Sequence, residues 1–346
     1  MLPDRITPRL RPESTDPMAV LTDREGIGDI LMKMPFLRSI GVAYPEQPVW
    51  WIAAYESAME TLMRPYAGDT IARVIAHAGH LAPAAVARRR LAELPRFSFV
   101  FDTRSRASSV WLGHRILKCE CYFTMLPFYF LSETRPPGRF DRPVRQWARV
   151  LSLAEQAIGA QLDPRGAIIC APEALAAAAA MLPSGPYYVG IAPGSREARR
   201  NWPFERFLEL AKRLSADGLN PVIVVGPYEE AMLTAPSARG FGIPVVRLSE
   251  FPPTPTFGPI DPALALCSRL SVMIANDSGM GHIAGAMGVP VVSLFGPTNA
   301  DRQAPFCPDG IIVRSSDFGS RSIEAIPVEA AHRAVSTLLK RAQAPG

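Results

Sequence analysis

The chain has 346 residues, 48% hydrophobic and 20% charged, with a net charge of +5. That length exceeds one ordinary core, so two domains are expected, and the apolar content excludes a disordered chain. No apolar run reaches the roughly 18 residues of a membrane-spanning helix. The five cysteines, scattered and without a Cys-x-x-Cys pair, read as reduced cytosolic thiols rather than as a disulfide scaffold or a metal site.

The charge is uneven. Residues 1–160 carry 21 Lys/Arg against 16 Asp/Glu, a surplus of 5, whereas residues 161–346 carry 16 against 16. Arg88-Arg-Arg90, Arg104, Arg106 and the series Arg135, Arg139, Arg142, Arg145, Arg149 supply a basic first half. This suits an anionic partner, either a phosphorylated substrate or a membrane surface, or else a solvated helix face. Nucleic acid is disfavoured, since no basic stretch is interleaved with aromatics.

In chain order, residues 1–17, rich in Pro, Arg and Asp, are expected as a flexible tail without a secretory core. Residues 18–22 predict a first strand, followed by a turn with Gly26 and Gly28 and a helix from Ile30. Pro35 falls inside the helical spacing and is expected to kink or divide that helix. Further strands are expected at 49–53, 72–75, 97–102 and 118–123, with helices at 83–94 and 142–158. The apolar run Cys121–Leu131 is too short to span a membrane and is broken by Pro127. From Leu162 to Pro186 the chain changes character, and the boundary is set so that residues 18–165 form one domain and 166–346 the other.

The second half alternates again. Strands are expected at 187–192, 221–225, 245–248, 272–276, 291–295 and 311–314, and helices at 174–182, 204–214, 262–269 and 327–342. Short continuous apolar runs alternating with helices predict α/β domains with parallel, doubly wound sheets.

Three turns carry the chemistry. Gly26-x-Gly28-Asp29 follows the first strand, but a third dinucleotide glycine would fall at Leu31, so a nicotinamide fold is disfavoured. Asp29 at a helix amino terminus reads as a general base or as a helix cap. Pro193-Gly194-Ser195-Arg196 through Arg199-Arg200-Asn201-Trp202-Pro203 joins a Gly-Ser turn to three arginines, a pattern suited to phosphate oxygens. Asn276-Asp277-Ser278-Gly279 lies between a strand and a small-residue helix, at the end of the sheet where α/β proteins bind ligands. Asp277 there accepts from a sugar hydroxyl or caps the helix with Ser278, and His282 either donates to a phosphate or packs.

These motifs, in this order and with Gly296-Pro297-Thr298, resemble glycosyltransferase family 9, the ADP-heptose:lipopolysaccharide heptosyltransferases, over residues 18–340. The resemblance implies a GT-B fold, two Rossmann-like doubly wound domains facing across a cleft, and an inverting, metal-independent transferase without a cofactor. By motif position it implies that Asp29 is the base. It also implies that Gly28, Gly194, Ser195, Arg200, Asp277, Ser278, Gly279 and His282 bind the donor. Arg200 stands where the family usually has Lys, which keeps the charge and changes its reach.

The expected partners are a nucleotide-sugar donor, ADP-heptose, and an anionic glycolipid acceptor bound by the first half. Peripheral contact with the inner membrane is expected through the first-half arginines and the 122–131 run. The alternatives are another donor and acceptor, as in protein or capsule glycosylation, and a non-catalytic sugar-nucleotide-binding homologue.

Overall fold

The computed structural model describes residues 6–79, 84–166, 168–185, 187–226, 229–233, 242–251, 258–307 and 309–343. Residues 1–5, Pro83 and Pro186, on which parts of the sequence reading fell, lie outside the described residues. The chain divides into two compact units, Met1–Ala167 and Ile168–Gly346.

The first unit is built on five parallel strands: β1 (Met18–Thr22), β2 (Val49–Ala53), β3 (Ile71–Ile75), β4 (Phe97–Asp102) and β5 (Cys119–Thr124), in the spatial order β3-β2-β1-β4-β5. Successive side chains of a strand point to opposite faces, and both faces here are covered. Ala19, Leu21, Ile52 and Val100 pack with Leu91 and Val110 of the helices Ala84–Ala92 and Ala107–Ile116. On the other face Phe101 and Phe99 meet Phe36 and Tyr44 edge to face, at ring centroids of 5.2 and 5.4 Å. The sheet is therefore wound on both sides.

The expected helix after β1 is divided as Pro35 demands. Its pieces are Ile27–Leu31 and Met34–Ala43, with Pro35 in the first turn of the second, where a missing N–H costs nothing. The helix expected from Arg142 starts only at Gln146, where Arg145 takes extended backbone (φ −67°, ψ 133°) as its cap. It ends at Gly159, which takes φ 79° and returns its N–H to Glu155 O at 2.9 Å. Residues 6–17, expected as a loose tail, run along this unit. The N–H groups of Arg9 and Leu10 bond to Ile158 and Ala157 carbonyls at 2.8 and 3.1 Å. Those of Glu13 and Ser14 bond to the Glu120 carboxylate at 2.8 and 3.0 Å.

The second unit holds six parallel strands, β6 (Tyr188–Ala192), β7 (Asn220–Val225), β8 (Val245–Arg247), β9 (Val272–Asn276), β10 (Val291–Phe295) and β11 (Gly310–Arg314), in the order β11-β10-β9-β6-β7-β8. Val189, Ile191, Val272, Ile274, Val292 and Leu294 form one core face with the helices Phe204–Ala216 and Val328–Gln343. The intervening Met273, Ala275 and Val291 are also buried, which explains why these strands read as continuous apolar runs.

In each sheet the strand order reverses beside the first strand of the unit, between β1 and β4 and between β6 and β9. Such a reversal leaves a crevice at the carboxyl ends of the strands. The loops that open there are the ones the sequence singles out.

Candidate functional site

At the reversal of the first sheet, Gly26 caps the short helix Ile27–Leu31 and its N–H bonds to Asp29 Oδ2 at 3.0 Å. Asp29 is exposed. One carboxylate oxygen thus fixes the turn while the side chain stays open to solvent.

The turn is anchored from below by a group that sequence reasoning missed. Glu25, only 4% exposed, pairs with Lys33 through Oε1. Its Oε2 accepts from Thr22 Oγ1 at 2.9 Å and from Trp51 Nε1 and Ser57 Oγ at 2.8 Å each. A buried carboxylate is tolerated only when paired and fully bonded, and Glu25 is both. It ties the loop after β1 to β2 and to the start of the next helix.

Beside it, Arg104 at the end of β4 grips Asp102 with Nε and Nη2, at 2.7 and 2.6 Å, and Tyr122 donates to the same carboxylate at 2.5 Å. Burial disfavours the Arg104 charge, but Asp102 and Tyr122 more than offset it and hold its pKa above the ordinary value. Asp23 completes the cluster. Burial raises its pKa against the opposing pull of Arg104 and Lys33. Asp23 Oδ1 and Arg104 Nη1 are buried without a hydrogen-bond partner among the described residues.

At the reversal of the second sheet, Asn276 at the end of β9 binds the loop after β6 from both ends. Its Nδ2 donates to Pro193 O at 2.6 Å, and its Oδ1 accepts from Trp202 N at 3.1 Å. Trp202 is itself buried, with Nε1 donating to Ile326 O at 2.9 Å and its ring edge-on to Phe207. This pinning holds Arg200 over the β9 turn. Arg200 Nη1 lies 3.1 Å from Asp277 Oδ2, which also accepts from Thr298 Oγ1 at 2.7 Å. Its Nη2 pairs with Glu197, and its Nε is buried without a partner among the described residues.

Ser278 precedes the eight-residue helix Gly279–Ala286; its Oγ is buried, makes no cap bond and has no partner among the described residues. Gly279 opens that helix and His282 is buried in its first turn. The free N–H groups of a helix start, an arginine and an unpaired hydroxyl make a setting suited to an anion.

The other arginines do not join it. Arg199 pairs with Glu197 at 2.7 Å, and Arg196 is exposed. At the neighbouring turn, a Cβ on Gly194 would collide with the Glu229 side chain, which would have to move to admit it. Glu229, which also takes the Gly226 N–H at 3.0 Å, puts a carboxylate rather than an open amide cradle beside Gly194. Ser195 is turned to its own loop, donating to Glu197 O at 2.9 Å. Gly194 and Ser195 therefore belong to the same loop as Arg200 but not to its polar cluster. Asn276 stands in the motif read after β9, but its bonds to the distant loop have no local signal, and Glu229, in the loop after β7, has none.

Two parallel, doubly wound Rossmann-like units in one chain, each with polar loops at its strand reversal, are the building blocks of the GT-B glycosyltransferase fold. The chain belongs to glycosyltransferase family 9 (heptosyltransferase), whose model matches residues 139–325.

The lipopolysaccharide core heptosyltransferase OpsX of Haemophilus influenzae is 27% identical over 118 residues, 34% of this chain and 32% of that protein. The chain spans about a third of the length of the curated relatives it matches. The crystal structure of the family 9 glycosyl transferase from Veillonella parvula superimposes with a TM-score of 0.61 at 20% identity, covering 95% of this chain and 100% of that one. The E. coli heptosyltransferase WaaC with ADP gives a TM-score of 0.59 at 16% identity, covering 93% and 99%.

Proposed function

We propose that the protein is an inverting glycosyltransferase that moves a sugar from a nucleoside-diphosphate donor to an anionic surface glycolipid, with the second unit binding the donor and the first the acceptor. The reading takes ADP-heptose as donor and a lipopolysaccharide core as acceptor. Support comes from family membership and from the heptosyltransferase and ADP named for its relatives. We take the work to be done in the cytoplasm, at the inner face of the inner membrane.

The observation that carries the donor end is Arg200, bonded to Asp277 just before the Gly279–Ala286 helix, where Ser278 Oγ has no partner among the described residues. In the proposed step the acceptor hydroxyl gives its proton to Asp29 and its oxygen attacks the anomeric carbon from the face opposite the phosphate. The carbon–oxygen bond to the diphosphate breaks, and the electron pair leaves with the nucleoside diphosphate. Arg200 and the helix N–H groups stabilise the charge that develops there. Asp277, already an acceptor from Arg200 and Thr298, orients the guanidinium and has a second oxygen for a sugar hydroxyl. His282 and Gly279 shape the same turn. No metal is assigned a step, because the arginine and the helix terminus supply the positive charge the leaving group needs.

The test is a thermal-shift panel of ADP, GDP, UDP, CDP and NAD, with and without EDTA. A ligand that binds only the folded state at 100 times its dissociation constant stabilises by about 2.7 kcal/mol. The expected result is a selective shift with ADP that EDTA does not change. Arg200→Ala is expected to weaken that binding about tenfold or more, since charge-assisted hydrogen bonds contribute about 1.5–3 kcal/mol each. A shift with another diphosphate moves the donor to a different sugar nucleotide. No shift with any of them overturns the donor site.

A further inference from the structure

The first sheet reverses its strand order between β1 and β4, and a polar atom is left unpaired on each side of that reversal. Asp23 directly follows β1, and Arg104 follows the end of β4. Thr103 ties the two strand ends together: its N–H and Oγ1 both donate to Leu21 O, at 3.0 and 2.8 Å. Arg104 is only 1% exposed. Its guanidinium is planar, so engaging Asp102 through Nε and Nη2 turns Nη1 away from that carboxylate. Nη1 and Asp23 Oδ1 are both buried without a partner among the described residues. A fold seldom leaves a buried donor and a buried acceptor unmade at one place, because each has given up its hydrogen bonds to water.

The neighbouring helix is shaped to this arrangement. Helix Ala107–Ile116 passes Arg104 with Gly113, where a Cβ would lie 2.6 Å from Nη2 and 2.7 Å from the Tyr122 hydroxyl. Glycine inside a helix is less favourable than alanine, so the helix gives up propensity to admit the guanidinium. The crevice opens at Asp23, which is half-buried, beside exposed Arg24 and Arg106. Asp29, the proposed base, is carried on the short helix that leaves the same turn.

Charge selects the occupant. Asp23 lies within electrostatic reach of Arg104 and Lys33, and of the fellow carboxylates Asp102 and Glu25, which makes three anions against two cations. A phosphate or carboxylate entering here would add to the excess of negative charge, and an ammonium would meet Arg104. A hydroxyl suits both unpaired atoms at once, since its proton goes to Asp23 and its oxygen accepts from Arg104.

We propose, on the reading of the first unit as the acceptor side, that Asp23 and Arg104 form a subsite for an uncharged, hydroxyl-bearing sugar ring of the acceptor. One hydroxyl of that ring donates to Asp23 Oδ1 and accepts from Arg104 Nη1. The half-buried Asp23 side chain swings outward to admit the ring and closes on it. Asp23 touches no reacting atom; it positions the ring for Asp29 and rejects an acid group at this point of the acceptor.

The experiment measures dissociation constants of the full chain, without donor, by saturation-transfer NMR at physiological salt. The probes are the methyl glycosides of glucose, mannose and galactose, with methyl glucuronide and glucose 6-phosphate as the anions. At least one neutral glycoside is expected to bind about tenfold more tightly than either anion, the effect of a like charge facing the wrong ligand. Asp23→Ala is expected to weaken that glycoside about tenfold, the loss of one hydrogen bond to a charged acceptor. Asp23→Asn keeps an acceptor and removes the charge. It is therefore expected to narrow the preference over methyl glucuronide about tenfold, while its Tm holds or rises because the cluster sheds its excess carboxylate. Arg104 is left intact, since its loss would strand buried Asp102. An Asp23 that only pairs with Arg104 would lower Tm in both variants and move no dissociation constant. A wild-type chain that prefers the anions or binds no neutral glycoside overturns the proposal, as do variants that bind the probes as the wild type does. The thermal shift with ADP is read on the same proteins, so the donor reading stands or falls separately.

Discussion

Asp29→Asn is expected to lower sugar transfer by about 10²–10⁴-fold, the range that a positioned general base contributes, with the fold and nucleotide binding unchanged. The choice of Asn matters. Asp29 Oδ2 accepts the Gly26 N–H at 3.0 Å and so holds the first turn of a helix only five residues long. An asparagine carbonyl accepts the same bond, which leaves the cap in place and removes only the basic oxygen. Asp29→Ala removes both and is expected to cost about 1 kcal/mol of stability besides. Turnover at saturating donor, thermal denaturation and the nucleotide-induced shift, measured on both variants, separate base from cap. Full turnover in a folded Asp29→Asn protein would leave the residue as a cap alone.

Glu25→Ala is expected to have the largest effect on stability, about 3–5 kcal/mol, the cost of breaking a buried ion pair from one side. Lys33 would be left buried and unpaired, and the donors on Thr22, Trp51 and Ser57 would lose their acceptor together. A domain has only about 5–15 kcal/mol in total, so the first unit should denature at much lower urea concentration. Glu25→Gln keeps acceptors for the neutral donors and removes the charge that Lys33 needs, so an intermediate loss is expected. Equilibrium unfolding by denaturant checks the order. An Ala variant as stable as the wild type would show that this network does not hold the loop that carries Asp29.

The fold was legible because buried parallel strands have no solvent face, so their sequence is an unbroken apolar run. β1, β2, β4, β9 and β10 read directly in this way. Pro35 sets a helix boundary by local sterics, whereas the start of the helix before Gly159, four residues later than its apolar spacing implies, has no such marker. The candidate site was half legible. Gly-containing turns at strand ends announce themselves, and Asp29, Arg200, Asp277 and Ser278 stand in them.

What holds those turns did not show in the sequence. Glu25 reaches Ser57 across 32 positions and Asn276 reaches Pro193 across 83, and neither separation has a local signature. Glu229 was hidden for the same reason, and with it the acidic neighbour of Gly194. Nor does composition show the sign of φ along the apolar run after β5. The left-handed residues at Phe128, Tyr129 and Leu131 divide it into a buried half and an exposed half.

The most direct measurement of the central claim is acceptor-dependent release of ADP from ADP-heptose by the full chain, in excess EDTA, with the anomeric configuration of the product read by NMR. The account predicts release that needs the glycolipid acceptor, survives EDTA and gives an inverted linkage. A protein that binds nucleotide sugars yet releases no diphosphate in the presence of any acceptor would contradict it, and would make the chain a sugar-nucleotide-binding member of its family rather than a transferase.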